Sequence, residues 1–183
     1  MDRRNARALR SKAALKKAFL ELFQTKEPEE ISVSLLCQQA HVNRSTFYAH
    51  YNYRDQLVKE VLWESVQEAF AGRAQQWSLP LENGGVQRRF IRDYLQRFLN
   101  DPTIRRFCTC RERGNYLPLL IRAHVDLTLG ESGDPVKYYK AFFHNAGVLN
   151  LLLECLNSKT VISLNELVEI IHTYSKVMYA EQS

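Results

Sequence analysis

The chain is poor in the residues that cross-link or interrupt structure. Its 183 residues include only seven glycines, five prolines and four cysteines. The cysteines, Cys37, Cys108, Cys110 and Cys155, are too few and too scattered for a disulfide framework. No run of about 18 apolar residues is present, which excludes a membrane-spanning helix. Because the sequence also lacks a Gly-rich phosphate loop, a metal-spaced His/Cys cluster and a nucleophile motif, it predicts no enzyme, no cofactor and no metal site.

Cys108 and Cys110 are two positions apart in the chain. On a helix, side chains at this spacing point to different faces and make a poor metal clamp or disulfide pair. We therefore interpret both as buried or half-buried thiols. A redox or metal-binding role is the alternative that the pattern leaves open.

Positive charge is concentrated at the beginning of the chain. Residues 1–60 account for +4 of the net charge of +5, and residues 1–17 contain seven basic side chains against Asp2 alone. Such a segment suits phosphate groups or an anionic membrane surface, and a solvated tail is the plainer reading. No apolar segment follows the polar start, so we expect no signal peptide and a cytoplasmic protein.

Hydrophobic periodicity predicts an all-α fold. Leu15, Phe19, Leu22 and Phe23 follow the spacing of one apolar helix face within residues 6–24. Further helices are expected at about 33–40, 44–51, 54–77, 86–99, 117–129, 136–156 and 164–179, with a loop around residues 80–85. Asp101-Pro102 and Asp134-Pro135 each suggest an N-cap followed by Pro at the first helical position. Ser163 and Glu166 suggest a capping box, and Ser32 and Asn43 suggest further N-caps.

Two short helices joined by a tight turn at residues 41–43 follow the longer basic helix, which is the arrangement of a helix-turn-helix. In the second short helix, Phe47 and Tyr51 can pack inward. The opposite face carries Arg44, Ser45, Tyr48 and Ala49. An Arg can bind guanine through two hydrogen bonds, and an aromatic edge or a methyl group can contact thymine. The pattern by itself fits either a helix that reads DNA or an ordinary amphipathic helix of a bundle.

Residues 31–62 resemble the DNA-binding domain of TetR/AcrR transcriptional regulators. The segment Val-Asn-Arg-Ser-Thr-Phe-Tyr-Ala-His-Tyr is similar to that family's turn and recognition helix nearly residue for residue. The resemblance covers about residues 6–65, and more loosely residues 146–156 and the helix after them. It implies a three-helix DNA-binding domain over residues 1–58 and a helical effector-binding and dimerisation domain over residues 59–183, with the boundary inside the long helix.

The resemblance also implies a function. It indicates a homodimer that binds a near-palindromic operator in double-stranded DNA. Repression is the expected outcome, with activation and a small-molecule effector left open by the sequence. Arg44, Ser45 and Tyr48 match positions that contact base edges, and Ala49 shares their face. The expected phosphate contacts are Arg3, Arg4, Arg7, Ser32, Ser34, Thr46, His50 and Arg54. A helical adaptor that binds only protein is the rival hypothesis.

The chain departs from the family pattern in its turn and caps. His41 stands where the family usually has Gly, a residue that adopts positive φ more readily. Leu35 stands where an acidic residue often completes a capping box, and Tyr53 replaces a small cap before the fourth helix. These changes remove none of the expected DNA contacts.

The helix at 136–156 is apolar nearly all round, so it is expected to be either a central core helix or one that also faces a second subunit. In the resembled family the last two helices form a four-helix bundle between subunits, which favours the second reading. The expected interface residues are Phe142, Ala146, Gly147, Leu149, Leu152, Leu153, Leu167, Ile171 and Tyr174.

Residues 60–130 contain many aromatic side chains, which fit a plain core or a pocket for an effector. The basic run Arg105, Arg106, Arg111 and Arg113 fits a solvated face, an anionic effector or a protein partner.

Overall fold

The computed structural model describes residues 3–70, 72, 84–130, 133–157 and 162–179, and within them every regular element is helical. In chain order the helices are α1 (Arg3–Phe23), α2 (Val33–Gln39), α3 (Arg44–Tyr48), α4 (Arg54–Phe70), α5 (Gly84–Asn100), α6 (Pro102–Thr109), α7 (Arg113–Leu129), α8 (Pro135–Asn157) and α9 (Leu164–Tyr179). A 3₁₀ turn, Pro28–Glu30, lies between α1 and α2. None of the described helices is long and apolar enough to cross a membrane. The all-α prediction is confirmed.

Four predicted helix starts have the expected capping hydrogen bonds, and one of them is Ser32 at the start of α2. The Asp101 side chain accepts from the Ile104 amide at 2.7 Å, and the Asp134 side chain accepts from the Val136 amide at 2.9 Å. At the start of α9, the Glu166 amide donates to Ser163 Oγ at 3.2 Å while the Ser163 amide donates to Glu166 Oε2 at 2.8 Å. These bonds satisfy amides that have no partner inside the helix.

Other boundaries differ from the prediction. Helix α3 ends at Tyr48 instead of near residue 51, and Asn43 precedes it without a side-chain capping bond. Helix α5 begins at Gly84, in a stretch expected to be a loop, and α7 begins at Arg113 although Pro118 lies inside it. Gly84 is tolerated at the start of α5, where the first amides lack an intrahelical partner anyway. Pro118 is the sixth residue of α7, beyond the first turn, so it removes one backbone hydrogen bond from that helix. The predicted end of the α4 helix at residue 77 lies outside the described residues.

Helix α4 belongs to both halves of the chain. It packs against α1 at one end and against α5, α6 and α7 over the rest of its length, with buried residues recurring from Leu57 to Phe70. The expected border between residues 58 and 59 therefore lies inside a continuous helix. Any tilt of α4 must move α1, α2 and α3 with it.

Aromatic rings fill the space between α4, α5 and α7. Phe70 stacks on Tyr94 with ring centroids 4.5 Å apart, and Phe98 meets His124 edge-on at 5.6 Å. His124 Nδ1 lies 2.6 Å from the Leu120 carbonyl, so Nδ1 carries the proton and Nε2 accepts from the Tyr94 hydroxyl. Burial lowers the pKa of His124 to about 4, which keeps the ring neutral.

Cys108 and Cys110 are fully buried at the end of α6. Burial raises the pKa of the Cys108 thiol to about 12 and that of Cys110 to about 11. Both thiols therefore stay protonated at neutral pH in this conformation, whereas the thiolate is the reactive form. The interpretation of this pair as buried thiols is confirmed by their positions.

His41 adopts a φ of 53°, in the left-handed region that favours glycine, while its side chain is exposed. We expect His41→Gly to raise the free energy of unfolding by about 0.5–1 kcal/mol, because the strain disappears and no packing is lost. Chemical unfolding of the full chain measures the change. The control is His41→Ala, which keeps Cβ and should give no gain; an equal gain in both variants would assign the effect to the imidazole instead.

Candidate DNA-binding surface

Helix α3 is held by two aromatic side chains and exposes its other face. Phe47 is fully buried, and its ring centroid lies 5.6 Å from that of Tyr51, which is also buried. The four residues predicted to contact bases are all exposed: Arg44, Ser45, Tyr48 and Ala49. The structure therefore brings these four predicted residues together on one accessible face.

Tyr48 is oriented by its neighbour. Its ring meets Phe47 edge-on, with centroids 5.4 Å apart and planes at 89°, and the side chain remains 49% exposed. A ring packed at its base against a buried aromatic loses little conformational entropy when its free edge makes a contact. Tyr48 is thus a preorganised part of the exposed face.

The residues expected to bind phosphate fall into different environments. Ser34 and Arg7 are exposed, and Thr46 is partly buried. Ser32 Oγ accepts from the Leu35 amide at 3.2 Å, so it is the N-cap of α2. The side chains of Arg3 and Arg4 lie outside the described part of the chain.

His50 and Arg54 have partners within the protein that the sequence did not indicate. His50 Nε2 and Ser11 Oγ are joined by a hydrogen bond of 2.7 Å, which ties the end of α3 to α1. Arg54 Nη1 donates to the Pro28 carbonyl at 2.7 Å, and its Nε and Nη2 donate to Asp55 at 3.0 and 2.9 Å. Both residues therefore position the helices of this surface. Ser11 and Pro28 lie 39 and 26 positions away from these residues in the sequence, so no pattern among neighbouring residues could have indicated the contacts.

A network of ion pairs joins α1 to α4. Lys12 contacts Glu60 at 2.8 Å, and Lys16 contacts Glu60 at 3.3 Å and Glu64 at 2.6 Å. Although partial burial opposes it, contact with Lys12 and Lys16 lowers the pKa of Glu60. These lysines stabilise the join between the two helices instead of standing free for a ligand.

The remaining cations of the opening segment lie nearer its start. Lys17 is within 3.8 Å of Glu21 on the same helix, whereas Arg7 and Arg10 are exposed. Of the five basic residues in this segment whose side chains the structure describes, the three lysines have acidic neighbours. The other two, Arg7 and Arg10, carry the exposed positive charge of the described part of the segment.

Comparison with solved structures identifies the architecture. No family model and no curated protein sequence matches the chain. The dihydroxyacetone kinase operon activator DhaS superimposes with a TM-score of 0.54 at 15% identity, over 93% of this chain and 97% of that one. The TetR family repressor AlkX from Dietzia sp. strain DQ12-45-1b gives 0.55 at 15% identity, over 90% and 97%. A TetR-family regulator from Streptomyces coelicolor gives 0.52 at 15% identity, over 93% and 83%.

The chain has the fold of TetR-family regulators. Within that fold α2 and α3 form the helix-turn-helix, which agrees with the resemblance found in residues 31–62. Identities of this size show the fold alone, so the function rests on the residues of the exposed surfaces.

Helices α8 and α9 form a second candidate surface, and most of the residues predicted to lie at a subunit interface there face inward. Five residues expected at a subunit interface are buried inside this chain: Leu149, Leu152, Leu153, Leu167 and Ile171. Phe142 and Ala146 are partly buried, and Gly147 and Tyr174 are exposed. A helix that is apolar on all sides is expected to be covered on more than one face. Its periodicity does not show which face packs against the rest of the same chain.

The stripe left exposed lines a groove of about 380 Å³ between α8 and α9. Its exposed or partly exposed apolar walls are Phe143, Gly147, Val148, Leu151, Ile170 and Tyr174. Phe143 is 74% and Tyr174 67% exposed, which is unusual for large aromatic side chains without a function. A Cβ added at Gly147 would meet nothing within 4 Å, so this side of α8 is open.

The α1–α4 ion pairs should contribute measurably to the stability of the folded chain. We expect Glu60→Gln to lower the free energy of unfolding by about 1 kcal/mol at low salt, because two lysines lose a common partner. Since the pKa of Glu60 is lowered in the folded chain, its contribution is present at neutral pH and disappears as the pH falls through that folded pKa. Unfolding at several pH values measures both effects.

The matched control is Glu68→Gln, which removes an exposed carboxylate from the same helix. It should leave stability nearly unchanged. If the free energy of unfolding falls equally in Glu60→Gln and Glu68→Gln, the ion pairs between α1 and α4 make no specific contribution to stability.

Proposed function

We propose that this protein is a sequence-specific DNA-binding transcriptional regulator that reads double-stranded DNA with α3. The observation that carries the proposal is the exposed face of Arg44, Ser45, Tyr48 and Ala49, fixed from behind by two buried aromatic rings. A guanidinium can bind guanine O6 and N7 together, and an aromatic edge or a methyl group can contact a thymine methyl. A protein of this kind acts in the cytoplasm, where it meets the DNA.

Phosphate contacts would come from both sides of α3. We assign them to Ser32, Ser34 and Thr46, and to the arginine arm Arg3, Arg4 and Arg7. Arg54 has five N–H donors, of which the contacts above use three, so two are left for phosphate. The hydrogen bond with Ser11 uses Nε2 of His50, so we assign the phosphate contact of His50 to its other ring nitrogen, Nδ1.

We infer that the functional unit is a homodimer joined through the groove between α8 and α9. Two recognition helices must lie about 34–36 Å apart to read successive half-sites of a palindromic operator. The exposed aromatic walls need a covering surface, and a second copy supplies the same walls in a two-fold arrangement. The open space at Gly147 allows the partner helix to approach closely.

We propose repression as the outcome, because a dimer seated on an operator excludes other proteins from that DNA. A small-molecule effector that bound between α4, α5 and α7 would have to move the Phe70, Tyr94 or His124 rings that occupy this space. Such a ligand would change DNA affinity by tilting α4, provided that it binds the two conformations unequally.

The rival function is a helical adaptor that binds only protein, which the exposed aromatics of α8 would also suit. Selection of bound sequences from a random duplex pool separates the two. A regulator should enrich one near-palindromic motif with half-sites one helical turn apart, and its affinity should fall steeply with salt. Binding without sequence preference, or none at low salt, would refute the proposed regulator.

Arg44→Ala should weaken binding to the selected operator by about 1–3 kcal/mol and remove the preference at one base pair in each half-site. Repeating the selection with the variant measures the preference directly. Arg89→Ala, which removes an exposed arginine from α5, is the control and should leave the motif intact. An unchanged motif with Arg44→Ala would exclude base readout by this residue.

Tyr174→Glu and Gly147→Leu should convert the dimer to a folded monomer, because one places a charge in the groove and the other blocks helix approach. Sedimentation at micromolar concentration measures the mass, and circular dichroism verifies the helical content. Thr173→Glu, an exposed neighbour outside the groove, should remain dimeric. A folded wild-type monomer at this concentration would contradict the dimer, whereas a dimeric Gly147→Leu would contradict only close approach at that position.

A further inference from the structure

The C-terminal end of α1 is held by an arginine from α6. Helix α1 ends at Phe23 and has no basic residue in its last turn. Arg106 Nε donates to the Phe23 carbonyl at 3.1 Å, and its Nη2 donates to the Lys26 carbonyl at 3.1 Å. Arg106 therefore supplies both the donors and the positive charge that favour a helix C-terminus.

The segment between α1 and α2 is also bound through Glu27. Glu27 Oε1 accepts from Arg106 Nη2 at 2.8 Å, and Oε2 accepts from the Arg111 amide at 2.9 Å. The hydrogen bonds from the Arg111 backbone and the Arg106 side chain lower the pKa of Glu27, so the carboxylate is charged at neutral pH. Both oxygens of the Glu27 carboxylate therefore accept hydrogen bonds from residues in α6 or just after it.

Aromatic packing supports the same join. The Phe23 and Phe107 rings lie 4.5 Å apart, and the Phe19 and Phe107 rings lie 6.3 Å apart. The Arg106 guanidinium carbon lies 5.5 Å from the Phe23 ring centroid. All three phenylalanines are fully buried, so this contact between α1 and α6 is a packed one and excludes water.

A second arginine holds the segment from the side of α4. Arg54 Nη1 donates to the Pro28 carbonyl at 2.7 Å, within two residues of the Arg106 contacts. Ile31, just beyond the 3₁₀ turn, is fully buried, and α2 begins at Val33. A displacement of α6 relative to α4 therefore acts directly on the chain that enters the helix-turn-helix.

We propose that Arg106 is a positioning residue that fixes the angle of α1, α2 and α3 against the C-terminal helices. A body attached along one helix, here α4, can still rotate about that helix. A second attachment away from the axis, here the Arg106 contacts, blocks the rotation. The inference rests on the proposed function, because this angle matters for DNA only when two subunits read one duplex.

The test compares a complete operator with a duplex that contains one half-site. In Arg106→Gln, affinity for the complete operator should fall about five-fold or more, a typical size for coupling between sites, while half-site affinity stays within about two-fold. The variant should also tolerate operators with one base pair added between half-sites. A purely structural loss would weaken both duplexes equally, and this result or an unchanged operator affinity would overturn the inference.

Arg105→Gln is the matched control. It removes the same charge from the same helix, but the Arg105 side chain donates to the Leu99 carbonyl and, among the described residues, has no hydrogen bond or ion pair with α1. Both affinities should therefore stay at the wild-type level. Adding Glu27→Gln to Arg106→Gln should cause little further loss, because the two residues form one contact.

A measurement without DNA separates this inference from the proposed function. Spin labels at Gln38→Cys on α2 and Gln96→Cys on α5, both exposed positions, report the angle within one subunit in a Cys155→Ser background. Arg106→Gln should broaden the distance distribution, and Arg105→Gln should not. If the distance distribution is unchanged in Arg106→Gln, the role of Arg106 is overturned, even if the wild type binds DNA. If the distribution broadens but the wild type binds no DNA, the proposed function alone is refuted.

Discussion

The rest of the structure depends on the packing of α4, which contributes to two cores with one continuous buried face. Leu57 and Val58 lie near its start, where the helix packs on α1, and Val66 and Phe70 lie near its end, among the helices that follow. An unbroken helix transmits tilt with little loss, because bending it would break backbone hydrogen bonds. A tilt of α4 therefore changes the direction of the exposed face of α3, and only rotation about the axis of α4 needs a second attachment to block it.

Apolar and charged contacts have different roles at this junction. Full burial of a phenylalanine contributes about 1.5–3 kcal/mol, so Phe19, Phe23 and Phe107 decide that α1 and α6 associate. An ion pair near the surface contributes at most about 1 kcal/mol, but it is directional. Contacts such as Arg106 with Glu27 therefore add little to the free energy of association and much to the choice of one relative orientation.

The sequence predicted the parts of the structure that depend on neighbouring residues. Helix periodicity and the caps at Asp101 and Ser163 involve positions within four of each other, and the same spacing placed Arg44 and Tyr48 on one exposed face. The strained φ at His41 followed from the resemblance, which showed that glycine usually occupies this position.

What the sequence could not predict depends on contacts between distant segments. The apolar pattern of α8 was equally consistent with Leu149 or Phe143 facing outward, and only packing against α7 and α9 decides that Phe143 does. The aromatic residues of α4, α5 and α7 likewise fitted both a pocket and a core. The Phe70 and Tyr94 rings stack 4.5 Å apart and Tyr94 also contacts Phe98, so in this conformation these residues form a core, whereas Trp63 of α4 is exposed.

The sequence also could not predict which charged side chains are paired inside the protein, and this bears directly on DNA binding. The opening segment carries seven cations in the sequence, but Lys12 and Lys16 are engaged with Glu60 and Glu64 across the α1–α4 contact. A cation that neutralises a carboxylate releases no counterion from DNA, and each phosphate contact changes the salt dependence by about 0.9 log unit. The salt dependence of binding should therefore reflect the exposed arginines, such as Arg7 and Arg10, and the lysines should matter mainly for holding α1 in place. The net charge counts the paired lysines and the exposed arginines equally. Only their neighbours in the folded chain show which of them can contact DNA.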